Sequence, residues 1–400
     1  MFDRSEIIVG LEVGTSKVCA VVGELDDKGV LNIVGIGTSS SRGSVRKGEI
    51  ISADLAEETI REALAKAEEY SNVEIGSVYL GITGAHISGF NNRGVHPIAS
   101  VDREIDEDDI RKVVRNARPQ LPPDYSVLHT IRQHFGVDGQ ESVESPVGRL
   151  ASRLEVDVHV VCGQTTRIQD PERVVKGLGI KVEDVAFNGR VGALAVVTPQ
   201  LGEQGVILID LGAGTTEYAA YLNGSLRHSG VLGVGGEHVS NDIGVGLKLS
   251  RGRAEKLKLE YGSAIPNLRV VDRMVDFSSD VGLDDKSVNL VHLHQIMNAR
   301  LDELFRLIRN DLLQMELLKS INGGVLLTGG GARTPQIEML ASQIFEMNVV
   351  AGQEFSENGL QDNLNQPEYV TAIGLVKYGA QQVSQRGKNA RGLMSWFVGR

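Results

Sequence analysis

Two segments far apart in the chain carry the same arrangement of reactive groups. Glu12-Val13-Gly14-Thr15-Ser16-Lys17 follows the apolar stretch Ile8-Val9-Gly10-Leu11, and Asp210-Leu211-Gly212-Ala213-Gly214-Thr215-Thr216 follows Ile207-Leu208-Ile209. In each, a carboxylate closes an apolar strand, one apolar residue intervenes, and glycine opens a run of small, hydroxyl-rich residues. Such residues let successive backbone N–H groups converge on phosphate oxygens, and the hydroxyls of Thr15, Ser16, Thr215 and Thr216 add donors. Lys17 supplies positive charge. A triphosphate held this way needs a divalent cation, and Glu12 and Asp210, one at each strand end, suit hydrated Mg2+ held through its own waters.

Either loop alone reads as an ordinary hairpin turn. The pair is informative, because self-similarity of this kind marks a duplicated fold in which two hairpins face one another. A third glycine loop, Thr328-Gly329-Gly330-Gly331-Ala332, follows the apolar run Val325-Leu326-Leu327 and precedes Thr334-Pro335, an N-cap with proline at the first helical position. Gly329, Gly330 and Gly331 would let the backbone lie flat against an adenosine; the plain alternative is a tight strand-to-helix turn.

The elements that must position these loops alternate strand and helix. Ile7 to Val22 and Val30 to Gly37 form a strand meander, and Ala53 to Tyr70 spaces its apolar residues helically after Ser52 as N-cap, ahead of a strand at Val78 to Ile82. From about Gly84 to Val160 the texture changes: acids from Asp102 to Asp109 lead into Arg111, Lys112, Arg115 and Arg118, as suits a solvated helix, and Pro122-Pro123 makes a turn. This stretch reads as a small α+β inserted subdomain. Strand and helix alternation then resumes, through a helix near Pro171 to Leu178 and a long helix from about Leu290 to Leu318.

Four hundred residues exceed what one core usually organises, so two lobes or more are expected. The fold class that follows is α/β and duplicated, two lobes around a nucleotide cleft. The expected division is 1–83, 161–196 and 368–385 for the first core, 84–160 for the insertion, 197–236 and 304–367 for the second core, 237–303 for its outer part, and 386–400 for a linker and terminal helix. A formal charge of −11 gives a nucleic-acid backbone nothing to attract. Two cysteines, Cys19 and Cys162, read as inert core thiols in a reduced, cytosolic setting. His292 with His294, and His129 with His134, lack the partners of a metal site.

These residues resemble the actin, DnaK-type chaperone and sugar kinase superfamily, with its ribonuclease H-like ATPase fold. Its five signature parts match Glu12 to Lys17 and Asp210 to Glu217 as phosphate loops, Phe187 to Val196 and Tyr369 to Gly379 as connecting helices, and Val325 to Ala332 as the adenosine loop. Within it the chain is similar nearly end to end to the FtsA family of bacterial actin-like division proteins. Gly10-Leu11-Glu12-Val13-Gly14-Thr15-Ser16-Lys17-Val18, Pro146-Val147-Gly148-Arg149-Leu150, Gly235-Gly236 with Asp242-Ile243, and Leu327-Thr328-Gly329-Gly330-Gly331-Ala332 carry that likeness in the family's order.

The resemblance implies ATP as cofactor. It places Gly235, Gly236, Glu255 and Lys258 beside the adenosine, although Glu255 and Lys258 also have the spacing of a surface ion pair. It further implies self-assembly into filaments, later division proteins as partners, and docking of the C-terminal tail of FtsZ, the tubulin-like division protein, near Arg300 and Glu303. One departure bears on turnover: Asn188-Gly189-Arg190-Val191-Gly192 offers no carboxylate or glutamine to orient an attacking water, so hydrolysis is expected to be slow or absent.

After Glu368 no acidic residue occurs, while Lys377, Arg386, Lys388, Arg391 and Arg400 do. The last stretch holds the only tryptophan, and Leu393, Met394, Trp396, Phe397 and Val398 would cover one side of a helix. Behind a polar linker from Gln381 to Ala390, this reads as an amphipathic anchor for anionic lipids. The expected place of action is the cytoplasmic face of the plasma (inner) membrane at the division site. A small-molecule kinase of the same fold would need a catalytic aspartate and a sugar pocket that are not apparent, and an actin-like pilus-assembly protein would lack the terminal Trp-Phe segment.

Overall fold

The computed structural model describes residues 6–99, 104–266, 273–277, 286–352 and 366–390. The chain opens with β1 (Glu6–Val13), β2 (Lys17–Leu25) and β3 (Leu31–Ser40), then a two-strand hairpin of β4 (Val45–Arg46) and β5 (Glu49–Ile50), α1 (Ala53–Ser71) and β6 (Ser77–Ile82). An insertion follows: β7 (Ser88–Pro97), α2 (Glu107–Asn116), β8 (Tyr125–Val137), β9 (Gln140–Val143) and β10 (Arg153–Gln164). The first core is completed by α3 (Thr165–Gly177), β11 (Lys181–Phe187) and α4 (Asn188–Val196).

The second core follows α5 (Pro199–Gln204) with β12 (Val206–Leu211), β13 (Thr216–Leu222) and β14 (Ser225–Leu232). Next come α6 (Gly236–Leu247), α7 (Arg251–Tyr261), the hairpin of β15 (Met274–Phe277) and β16 (Lys286–Asn289), and α8 (Leu290–Gln314). β17 (Val325–Thr328), α9 (Ile337–Phe345), β18 (Val349–Ala351) and α10 (Val370–Ala390) close the described chain.

The repeat seen in the loops extends to whole sheets. The first orders its strands β11-β6-β1-β2-β3 and the second β18-β17-β12-β13-β14. In both, the middle strand pairs antiparallel with the next strand in the chain and parallel with the strand that returns after a helix. A hairpin thus begins each sheet, and its turn emerges at one end of the middle strand. Between the sheets lie α4 and α10. Val191 and Ala195 of α4 and Ile373, Leu375 and Val376 of α10 share one apolar cluster with Ile8 and Val21 of the first sheet and Leu208 and Leu326 of the second. Burial of this kind, worth about 25 cal/mol per Å2 of apolar surface, joins the two halves at their base.

The insertion has a core of its own, in which Ile110 and Val113 of α2 meet Val156, Val158 and Val160 of a four-stranded sheet ordered β7-β10-β8-β9. Asp106 caps α2 by accepting from the N–H groups of Asp108 and Asp109, and Asp109 returns the bond. The insertion also reaches the edge of the second sheet: Asn91 Nδ2 donates to Arg227 O at 3.1 Å, Gln133 Nε2 to Leu226 O at 2.9 Å, and His159 Nε2 lies 2.8 Å from Ser229 Oγ.

Three local expectations are corrected. Ser52 occupies the N-cap position of α1, but its side chain makes no capping bond. Thr334 and Pro335 do not start a helix: Gly330–Arg333 forms a 3-10 turn, Gln336 turns left-handed at φ 63°, and α9 begins at Ile337. The stretch from Gln381 to Ala390, expected as a linker, continues α10 as helix.

Candidate functional site

Both glycine turns come to the same place. Gly14 N–H donates to Lys17 O at 2.9 Å, closing the first turn between β1 and β2. The second, between β12 and β13, is held from behind: Gly236 N–H donates to Gly212 O at 2.9 Å and Glu237 N–H to Ala213 O at 2.8 Å. A β-carbon on Gly214 would collide with the Thr15 hydroxyl, so the two loops meet in direct contact. Gly329, at φ 78°, lies so close to Asp210 and Leu211 that no side chain fits there, which brings the third loop to the base of the second. Gly330 has nothing within 4 Å of where a β-carbon would stand, so this part of the loop faces open space.

Under the loops lies a concentration of carboxylates. Glu12 at the end of β1 has its Oε2 cut off from solvent with no hydrogen-bond partner. Burial pushes its carboxyl up to about 7, the nearby Lys17 ammonium opposes this, and Asp210 adds to it. Asp210 is buried and accepts from Thr371 Oγ1 of α10 at 2.6 Å. Its carboxyl is also raised by burial, against the Thr371 bond and the Lys17 charge.

A third acid was not foreseen. Glu217 is the cross-strand partner of Asp210, buried and bonded by the Thr83 hydroxyl. Burial first, and Asp210 second, push it up to about 8. Its signal was present in the sequence: a hairpin turning through Gly212 to Thr215 sets residue 217 opposite residue 210.

The predicted donors divide. Ser16 is exposed and Thr15 buried, its oxygen accepting from Gly48 N–H at 3.0 Å. Thr216, expected as a hydroxyl donor, spends its proton on Val234 O at 2.8 Å. The Lys17 ammonium donates to Glu368 O and stands 4.5 Å from the centre of the Tyr369 ring, at the foot of α10.

On the second lobe, Lys258 Nζ donates to Gly236 O at 3.0 Å and to Ser240 Oγ at 2.9 Å, and pairs with Glu255 at 2.8 Å. Glu255, Lys258, Gly235 and Gly236 therefore stand together behind the second loop. Arg300 grips Asp242 of α6 with two nitrogens, at 2.6 and 3.2 Å, and reaches Glu303 at 2.5 Å. Leu393, Met394, Trp396, Phe397 and Val398 lie outside the described residues. Cys19 and Cys162 are both buried free thiols.

The donor set fits a cation bound to phosphate. Glu12 offers an orphaned carboxylate oxygen beside Asp210 and Glu217, burial holds all three acids toward their neutral form, and a divalent ion is the group that would restore ionisation. Among the described residues no three His, Cys, Asp or Glu side chains converge as a direct metal cage. The acids suit contact through water.

Comparison with known proteins agrees with this architecture. The family model described as cell division protein FtsA matches residues 207–374, and that of the SHS2 domain inserted in FtsA matches 84–162. Cell division protein FtsA of Pseudomonas aeruginosa is 36% identical, covering 95% of this chain and 90% of the relative. Its counterpart in Borreliella burgdorferi is 34% identical over 98% of each, and that of Escherichia coli K12 is 32% identical over 94% of this chain and 91% of the relative.

Among solved structures, the PilM-PilN type IV pilus biogenesis complex superposes with a TM-score of 0.65 at 16% identity, covering 93% of this chain and 98% of that one. MreB5 of Spiroplasma citri bound to AMPPNP gives 0.57 at 15% identity, covering 97% and 99%. These likenesses show the actin-like fold that the resemblance implied, and the matched SHS2 domain supplies the expected inserted subdomain. With sequence identity above 30% along almost the whole length, the chain belongs to the FtsA family of cell division proteins.

Proposed function

We propose that the chain binds ATP with Mg2+ between its two lobes, assembles into filaments, and tethers FtsZ filaments to the cytoplasmic face of the membrane, where later division proteins join it. The observation that carries this reading is the meeting of Thr15 and Gly214 above the buried carboxylates of Glu12 and Asp210. Backbone N–H groups of both turns would hold the phosphates, and the two acids would hold the ion through water, neutralising phosphate charge. MreB5 of the same fold was solved with AMPPNP and with ADP, which favours a nucleotide here.

Arg300 and Glu303 would receive the FtsZ tail, with Asp242 fixing the Arg300 fork. The basic, acid-free end of the chain supports a lipid anchor, and many tails on one filament would multiply attachment by roughly 10²–10⁴-fold. The proposed attachment is peripheral, through that terminal segment; no helix among the described residues is long and apolar enough to cross a membrane.

The test is sedimentation with anionic vesicles, comparing the full chain with one stopped at Ala390, with and without Mg·ATP. The full chain should pellet with vesicles, more so with nucleotide, and the shortened chain should stay in solution. Equal pelleting of both chains would refute the anchor.

A further inference from the structure

The hairpin of β4 and β5 stands between the two phosphate loops. Val45 pairs with Ile50 and Arg46 with Glu49, so Lys47 and Gly48 form a two-residue turn, at φ 51° and 78°. Tight hairpins of the I′ kind require positive φ at both positions, where asparagine or glycine is usual, and a lysine there costs on the order of 1 kcal/mol. The turn touches both loops. Gly48 N–H donates to Thr15 Oγ1 at 3.0 Å, and a β-carbon on Gly214 would lie 2.9 Å from both the N and the Cα of Lys47.

The Lys47 side chain runs on toward the second lobe. Its Cδ and Nζ lie 3.9 and 4.0 Å from where a β-carbon on Gly233 would stand, just before the Gly235-Gly236 turn that opens α6. Its charge is felt by His238 in the first turn of α6, whose imidazole is lowered by burial first and by Lys47 next. Lys47 itself is exposed. Lys17, in contrast, is engaged by Glu368 and Tyr369. The first lobe thus sets the backbone of a positive-φ turn against Gly214 of the second loop and extends an exposed ammonium from it to Gly233, on the way into α6.

We propose that Lys47 is the cation that distinguishes a nucleoside triphosphate from the diphosphate by meeting the terminal phosphate at the second loop. This rests on the nucleotide reading of the cleft. A charge-assisted contact to phosphate is stronger than a neutral hydrogen bond, and it is lost when the terminal phosphate is absent. The hairpin would then register the nucleotide state, since the same turn is tied to Thr15.

The test is equilibrium binding of fluorescent ATP and ADP analogues, each with Mg2+, to the full chain and to Lys47→Asn. Asparagine tolerates the left-handed turn and removes the charge. Arg46→Ala, on the same hairpin and exposed, is the control for general charge. Lys47→Asn should weaken ATP by about tenfold, which is about 1.4 kcal/mol, and ADP by less than about twofold; Arg46→Ala should change neither ratio. Equal weakening of both nucleotides, or no change in ATP, would overturn the role of Lys47 while leaving the cleft intact. Failure of the unsubstituted chain to bind ATP would overturn the cleft reading and this inference together.

Discussion

Thr15 of the first loop and Gly214 of the second are packed so closely that a single added carbon on Gly214 would strike the Thr15 hydroxyl and press on the Lys47 backbone. The contact joins a turn of the first sheet to a turn of the second, and α4 and α10 join the two sheets separately through a shared apolar cluster. The two halves therefore meet at two places, and the loop contact is made by the groups proposed to hold phosphate.

Gly214→Ala should force these loops apart. Overpacking of a tight site costs about 1–3 kcal/mol, and denaturant unfolding should read that loss as a lowered midpoint with little change in slope. Gly252→Ala is the control, because nothing lies within 4 Å of its β-carbon position in α7; there alanine should stabilise by about 0.5–1 kcal/mol. A Gly214→Ala protein as stable as the parent would mean that the loops do not touch.

Glu217 sets a pH dependence. Its carboxyl is raised from 4.5 to about 8 in the folded chain, so the folded state keeps a proton that the unfolded state releases above 4.5. Stability from this group is complete below about 4.5 and falls as pH rises toward 8, at about 1.4 kcal/mol per pH unit. Glu217→Gln keeps an acceptor for Thr83 without the charge, so its melting temperature should exceed the parent's at pH 8, with the gap closing by pH 5. Thermal melts across that range check this, and a gap that widened toward acid pH would contradict the sign.

Much of this was legible from residue order, because the proposed phosphate loops are local. Glycine, hydroxyl residues and a strand-end carboxylate stand next to one another in the chain, and their duplication foretold two matched sheets. What the sequence hid was produced by tertiary contact. Thr216 looked like a donor to ligand, yet the returning strand β14 leads to Val234, whose carbonyl takes its proton. Lys47 has no local motif around it, and only the hairpin brings it to Gly214. Glu217 became part of the site only through strand pairing with Asp210. Thr334-Pro335 had the local chemistry of a helix start, but Gln336 turned left-handed and moved the start of α9 to Ile337.

The central claim is that both loops hold one nucleotide, and calorimetric titration of the full chain with Mg·AMPPNP tests it most directly. The account predicts saturable binding of one nucleotide per chain, weakened at least about tenfold by Asp210→Ala and again when Mg2+ is removed by chelation. Absence of saturable binding, or binding unaffected by Asp210→Ala, would contradict it.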